Sequence, residues 1–581
     1  MNVLSLDNVA KTLLDYPLFE QVTLGIDAGD RIGFIGKNGA GKSTFLKVLS
    51  GELEPDTGRV ARNRELTMSI LEQRPVYSPG STLEEFCPVD HVDAFRSLCR
   101  ELGLRDLSVR METLSGGMLR KASLARCLSR EAGFLMLDEP TNHLDLDTIE
   151  WLEERLRAAP FGFILVTHDR YFLDNVCTTI MEIDNRRVLK YPGNYSAYLE
   201  KRAEREEIRE KAEARRSSIL RGELEWLKRG PRARTGKDKG RKDRIRNLLD
   251  AEVQKELAME EFSSSHRRLG KKVLEMHAVV KGFNGATVLD PFTYSFRRGE
   301  RIGVIGPNGS GKTTFLRLVA GEIAPDQGTV VKGETTVFAH FSQTSAAIDT
   351  RLTVIEFMKA LAERVPQSHG GSLSAEQFLE KFLFPRSMQD VTIDRLSGGE
   401  LRRLSLVRLL ATAPNFLLLD EPTNDLDLDT IRQLEDYLAD FEGCILLVSH
   451  DRALLDRMTD SLLVFDGTGG VRGFTGTYDA YRNATAEEAS RVLPSVERRD
   501  ERRAGRQQKT GLSFKERQEY ESLEHEIAEL EKEQKLLEVS FQQLAPDPLS
   551  LERDTKRYRE LAGILESKLS RWEDLAGRAE K

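Results

Sequence analysis

Residues 36–43 read GKNGAGKS, and residues 306–313 read GPNGSGKT. Both fit G-x-x-x-x-G-K-[ST]. Each follows an apolar, strand-like run (IGFI at 32–35, IGVI at 302–305) and opens an apolar run with helical spacing. In that context the glycines let the backbone curl until its N–H groups face one point, at the positive end of the helix that follows. That arrangement holds a polyphosphate. The lysine then reaches the β/γ-phosphates, and the hydroxyl after it is a ligand for Mg²⁺. The candidate nucleotide-binding residues are therefore Gly36, Asn38, Gly39, Gly41, Lys42, Ser43 and Thr44. Gly306, Asn308, Gly309, Gly311, Lys312, Thr313 and Thr314 repeat them in the second half.

The repetition extends well beyond these loops. Gln73 recurs as Gln343, in the same register as Gly36 and Gly306. From Leu114 and Leu396 onward the register is wider, and it stays constant through His168 and His450. All the extra length of the second half therefore falls between the glutamine and the LSGG segment. Accidental similarity does not hold such a register, so the chain is a duplicated α/β module.

The strand-like runs FLMLD and FLLLD end in Asp138 and Asp420, placed to join Ser43 and Thr313 around Mg²⁺. Glu139 and Glu421 follow at once. A carboxylate in that place can polarise an attacking water, or it can merely cap a helix. Recurrence beside a phosphate loop favours catalysis. His168 and His450 end strands of their own (FILVTHD, ILLVSHD); contact with a γ-phosphate is the functional reading, a satisfied structural histidine the plain one. Ser115 and Gly117 in LSGGM, and Ser397 and Gly399 in LSGGE, open cationic amphipathic helices and form a second kind of anion site.

Composition sets outer limits. A chain of 581 residues needs several cores. The longest apolar runs, such as FGFILV at 161–166, are strand-sized rather than membrane-spanning. The start, MNVLSLDNVAKTLL, lacks the features of a signal peptide. Five scattered cysteines without a CxxC pair argue against zinc, iron–sulfur and disulfide frameworks. The expected location is the cytoplasm, with no membrane contact and no obligate protein partner.

Against a net charge of −8, residues 226–246 hold ten Lys/Arg and two Asp. The cations Arg232, Arg234, Lys237, Lys239, Arg241 and Lys242 are spread across glycines like a loop rather than one helix face. Such a run suits phosphate backbones, although a solvated linker would also carry it. Beyond a basic tether, the heptad positions Tyr520, Leu523, Ile527, Leu530, Gln534, Leu537, Phe541 and Leu544 form one seam, and Pro546 and Pro548 stop it. A second seam from Leu551 to Leu575 suggests an antiparallel helical hairpin; a dimerising coil is the alternative.

Phosphate loop, glutamine, LSGG, DEPTN, LD and a switch histidine, twice and in order, resemble the ATP-binding cassette ATPases. The resemblance implies two composite ATP sites, each pairing one phosphate loop with the LSGG of the other cassette. Site one would combine Lys42, Ser43, Gln73, Asp138, Glu139 and His168 with Ser397 and Gly399. Site two would combine Lys312, Thr313, Gln343, Asp420, Glu421 and His450 with Ser115 and Gly117. Asp145 and Asp427 would lie where the sites meet. Such cassettes stack adenine on an aromatic residue ahead of the phosphate strand. Phe283 fits, but its counterpart is Leu13, with Tyr16 nearby, so site one is expected to bind nucleotide less tightly or less selectively.

The linker EWLKRGPRART, the helix LSGGMLRKASLARCL and the segment LSFKERQEYESLEHEIAELE resemble the Uup-like branch of the ABC-F group. This implies an α/β fold of two tandem cassettes, a helical linker and a C-terminal antiparallel coiled-coil hairpin. The expected parts are cassette one at 1–199, a basic linker at 200–270, cassette two at 271–488, a tether at 489–512 and the hairpin at 513–581. The implied activity is ATP hydrolysis. The implied partners are the ribosome with its rRNA or tRNA, branched DNA, or both, through the linker and hairpin. The rival reading is the ATPase subunit of a transporter with separate permeases. The first half lacks an extended arm after Gln73, which shifts weight to the linker and tail.

Overall fold

The computed structural model describes residues 2–13, 16–63, 66–73, 75–88, 90–209, 211, 269–270, 272–283, 285–342, 349–366, 372–492 and 568. Gln343, the six linker cations from Arg232 to Lys242 and the two heptad seams lie outside these residues. Contacts divide the chain into a unit Met1–Glu487, which contains both halves of the repeat, and a unit Glu488–Lys581.

Each half is built on a six-stranded sheet. In the first, the spatial order is Met68–Leu71, Phe134–Asp138, Gly162–Val166, Arg31–Gly36, Thr179–Asp184 and Arg187–Pro192. All neighbours are parallel except the last pair, which is an antiparallel hairpin. The second half repeats this order with Phe338–Phe341, Phe416–Asp420, Cys444–Val448, Arg301–Ile305, Ser461–Phe465 and Val471–Thr475. The central strands FLMLD, GFILV, FLLLD and CILLV are buried at every residue. They carry no polar alternation because both faces are covered, as parallel sheets require.

The phosphate-loop strand lies between the strand leading to His168 or His450 and the Thr179–Asp184 or Ser461–Phe465 strand. Loops leaving the carboxyl ends of neighbouring strands therefore converge, and this is where parallel α/β sheets hold ligands. A three-stranded antiparallel sheet flanks each half: Asn2–Leu13 pairs with Tyr16–Asp27 and Thr57–Arg62, and Leu274–Phe283 pairs with Ala286–Phe296 and Gln327–Lys332.

The extra length of the second half is visible in its helical part. The helices Val354–Leu361 and Ala375–Lys381 enclose a small hairpin, Arg364–Pro366 with Ser372–Ser374, whereas the first half has the helix Val92–Glu101. Among the described residues no helix is long and apolar enough to cross a membrane.

The halves share their cores. Leu146 packs into the apolar core of the second half, and Leu428, its counterpart in the repeat, packs into that of the first. This exchange is self-complementary, as in a two-fold dimer interface.

Candidate functional site

The helices Lys42–Ser50 and Lys312–Ala320 both start after a glycine in the left-handed region, Gly41 at φ 97° and Gly311 at φ 98°. A side chain there would be strained, and one on Gly311 would collide with Val288 Cγ1. The lysine ammonium groups are held over the loops. Lys42 Nζ donates to the carbonyls of Gly36 (2.6 Å) and Lys37 (3.2 Å), and Lys312 Nζ to those of Gly306 and Pro307, both at 2.8 Å. Burial pulls both lysines below their ordinary pKa, against the pull of nearby carboxylates.

Thr313 Oγ1 donates to Asp420 Oδ2 at 2.8 Å, and the Ser43 hydroxyl bonds Asp138 in the same way. Asp138 Oδ1 is buried without a hydrogen-bond partner in the protein. A hydroxyl beside a carboxylate with a spare oxygen is a hard-oxygen donor set that suits Mg²⁺. Gln73 is exposed just past the end of its strand, and its carbonyl accepts from Arg120 Nη1 at 3.3 Å.

Glu139 and Glu421 have backbone φ of 49° and 50°, a left-handed conformation that costs a non-glycine residue about 1–3 kcal/mol. Their N–H groups are anchored on the adjoining strand, to Val166 O (2.8 Å) and Val448 O (2.9 Å). The side chains thereby meet the histidines: His168 Nε2 lies 3.2 Å from Glu139 Oε1, and His450 Nε2 lies 3.1 Å from Glu421 Oε1. Burial pushes both glutamates up to about 8 and both histidines down to about 3. Although the distances fit ion pairs, burial disfavours the charged form of both partners.

The two signature turns complete the geometry. Ser115 and Ser397 cap the helices Gly116–Ser129 and Gly398–Ala411, and each turn faces the opposite phosphate loop. A Cβ on Gly117 would collide with Asn308 Nδ2, and one on Gly399 would lie 2.6 Å from Asn38 Nδ2. Asn38 donates from its backbone to Asp427 Oδ2 (3.1 Å) and from Nδ2 to Asp425 O (2.6 Å); Asn308 matches it with Asp145 Oδ2 (3.4 Å) and His143 O (2.8 Å). Asp145 and Asp427 also cap their own helices through Thr148 N and Thr430 N. One carboxylate thus fixes a helix start and the other half's loop together. Burial alone would raise Asp145, but hydrogen bonds from Lys121 and Thr148 outweigh it and hold it down at about 2.

Some contributors escaped the sequence reading. Arg120 spans the signature helix and the Asp138 strand, donating to the carbonyls of Glu72 (2.5 Å), Glu139 (2.7 Å) and Asp138. Arg402, its counterpart in the repeat, donates to Glu421 O at 3.0 Å. Their recurrence in register was the available signal. Phe283 is half exposed at its hairpin end, with Lys281 Nζ 5.4 Å from the ring centre.

The family model described as "ABC transporter" matches residues 19–142 and 289–424, a second of that description matches 181–263, and "ABC transporter C-terminal domain" matches 511–576. An uncharacterized ABC transporter ATP-binding protein, YfmR of Bacillus subtilis, is 37% identical over 99% of both chains. The ATP-binding protein Uup of Haemophilus influenzae is 31% identical over 99% of this chain and 98% of its own. The energy-dependent translational throttle protein EttA of Mycobacterium tuberculosis is 34% identical over 84% of this chain and 96% of its own. An archaeal ribosome recycling factor, solved with a ribosomal stalk protein, shares the fold: TM-score 0.59 at 21% identity, over 83% of this chain and 92% of that one. Tandem cassettes in this arrangement, matched along their whole length by such relatives, establish that the chain belongs to the ABC-F family of ATP-binding cassette ATPases.

Proposed function

We propose that this ATP hydrolase is a two-site clamp that acts on the ribosome. The observation that carries the clamp is the pair Gly117 and Gly399, each lying against the phosphate-loop asparagine of the other cassette. ATP is bound between one phosphate loop and the opposite signature turn. Lys42 and Lys312 take the β/γ-phosphates, and the helix starts at Ser115 and Ser397 take the γ-phosphate from the far side. Ser43, Gln73 and Asp138 would hold Mg²⁺ at site one, and Thr313, Gln343 and Asp420 at site two. A cation held there would supply positive charge against the phosphates. In their ionised form Glu139 and Glu421 accept a proton from the attacking water, and burial raises their affinity for it. His168 and His450, neutral and lying against those glutamates, contact the γ-phosphate. Phe283 stacks on adenine at site two.

The ribosome as partner is supported by the similarity to the translational throttle proteins, and by the basic run from Arg232 to Lys242, which suits structured RNA. The test uses the full chain with Glu139→Gln and Glu421→Gln, which accumulates the ATP-bound clamp. Its co-sedimentation with ribosomes and with four-way DNA junctions is compared at matched salt, with and without residues 513–581. ATP-dependent ribosome binding that survives removal of the tail supports the proposal. Junction binding that is lost with the tail, without ribosome binding, overturns it in favour of a DNA-processing ATPase.

A further inference from the structure

The two ATP sites receive different surfaces from the opposite cassette. At the turn that closes site one, Glu400 completes a capping box. Its Oε2 accepts the Ser397 backbone N–H and the Ser397 hydroxyl, both at 2.8 Å, and its own N–H donates back to Ser397 Oγ at 3.4 Å. At the turn that closes site two the same step is Met118, an exposed residue, and Ser115 Oγ accepts the Met118 N–H at 3.3 Å. A hydroxyl whose proton is committed to a carboxylate has a charge-assisted bond to break before it can donate to a phosphate. An acid in the first turn also neutralises the partial positive charge that a helix start offers an anion.

A second position adds to the contrast. Asp425 and His143 occupy the same place in the two halves of the repeat, and their carbonyls do the same work, accepting Asn38 Nδ2 and Asn308 Nδ2. Their side chains differ by a charge. Arg402 Nη1 pairs with Asp425 at 3.3 Å and offsets part of it. Even so, the Asp425 carbonyl lies 2.6 Å from Asn38 Nδ2, so the residue sits at the phosphate loop of site one. Site one thus faces Glu400 and Asp425 across the cleft, whereas site two faces Met118 and His143.

We infer that Glu400 and Asp425 make site one the weaker ATP site and the first to reopen, while site two holds its nucleotide longer. These two are positioning and electrostatic residues, acting through Ser397 and through the field at the phosphates. The inference rests on the composite-site reading above.

The experiment uses the full chain carrying Glu139→Gln and Glu421→Gln, photolabelled with 8-azido-ATP over a concentration series. Mass spectrometry of the peptides reports half-saturation for each cassette separately. Half-saturation of cassette one is expected to lie on the order of tenfold above that of cassette two. Glu400→Met with Asp425→His closes most of that gap by moving cassette one alone. Met118→Glu with His143→Asp raises cassette two. Equal half-saturations at the outset, or exchange variants that move neither cassette, overturn the inference. Gly399→Asp separates the two levels: weakened labelling of cassette one upholds the composite site, whatever the exchanges do. Loss at cassette two instead, or at neither, overturns the composite site and the inference with it.

Discussion

Arg170 Nη1 lies 2.9 Å from Glu435 Oε1 and 3.0 Å from Oε2, a two-pronged contact from one cassette to the other. Its counterpart runs in reverse: Arg452 Nη2 donates to Glu153 Oε2 at 2.9 Å. The two ends are not equal. Glu435 is fully buried and also binds Arg457, whose side chain is 60% exposed; Arg452 is 1% exposed, and its next acid, Asp169, is 3.9 Å away. Removing Glu153 strands a guanidinium that cannot reach water. Removing Glu435 frees Arg457 to solvent and leaves Arg170, whose side chain is 14% exposed, with Asp451 as a further nearby acid. Glu153→Ala is therefore expected to destabilise the chain by about 3–5 kcal/mol and Glu435→Ala by less. Denaturant melts of both variants check this. Glu153→Leu combined with Arg452→Met should recover most of the loss; equal losses for the two alanine variants would contradict the argument.

Gly117 and Gly399 have no room for a methyl group. An added Cβ on Gly117 would collide with Asn308 Nδ2 and lie 2.8 Å from His143 O; one on Gly399 would lie 2.6 Å from Asn38 Nδ2 and 3.1 Å from Asp425 O. Each alanine variant should hinder closure over the opposite phosphate loop while leaving its own cassette folded. With Glu421→Gln silencing site two, Gly399→Ala is expected to lower ATP turnover at site one by at least about tenfold, and Gly117→Ala to change it little. The mirror pattern should appear with Glu139→Gln. A loss that follows the cassette carrying the mutation would remove the crossed arrangement.

Much of this was legible in the sequence because the repeat doubles every signal. FLMLD and FLLLD read as strands through continuous apolar character, and the phosphate loops through fixed spacing. The inter-cassette contacts were not legible. Arg170 and Glu153 each lie on a helix with polar neighbours, where a charge usually means solvent. What buries them is the second copy of the module, and that depends on tertiary placement. Leu146 and Leu428 are apolar, but local pattern cannot say whose core they join. Ser397 and Glu400 fit the local pattern S-x-x-E, but its consequence for the other cassette's site appears only once the two face each other.

Arg120 ties the signature helix to the strand that ends in Asp138. Its two terminal nitrogens share the carbonyls of Glu72, Gln73, Asp138 and Glu139. A lysine keeps the charge but lacks the planar fork, so it cannot bridge both segments at once. Arg120→Lys should lower turnover at site one, measured with Glu421→Gln, while nucleotide affinity changes little. A fall in affinity with turnover preserved would mean that the arginine supports the phosphate loop rather than the glutamate.

Hairpin register points to Tyr16 as the residue to test as the adenine platform of site one. Phe283 pairs directly with Ala286, and at the matching step of the first half Leu13 pairs with Tyr16. Directly opposed residues of an antiparallel pair share a face. Two residues further along, Leu18 and Val288 lie against Gly41 and Gly311, so this face looks over the phosphate loops. The aromatic ring has therefore changed strand, from the outgoing one in cassette two to the returning one in cassette one. Each ring has a cation near it: Lys281 Nζ at 5.4 Å from the Phe283 centre, and the Arg186 guanidinium at 5.8 Å from that of Tyr16. Phe283→Ala should weaken ATP binding at site two by about 1–3 kcal/mol, and Tyr16→Ala should do the same at site one. Titrations with the other site disabled by Lys42→Ala or Lys312→Ala measure each. If Leu13→Ala costs site one more than Tyr16→Ala does, the ring is not the platform, and the aliphatic residue holds the base through apolar contact alone.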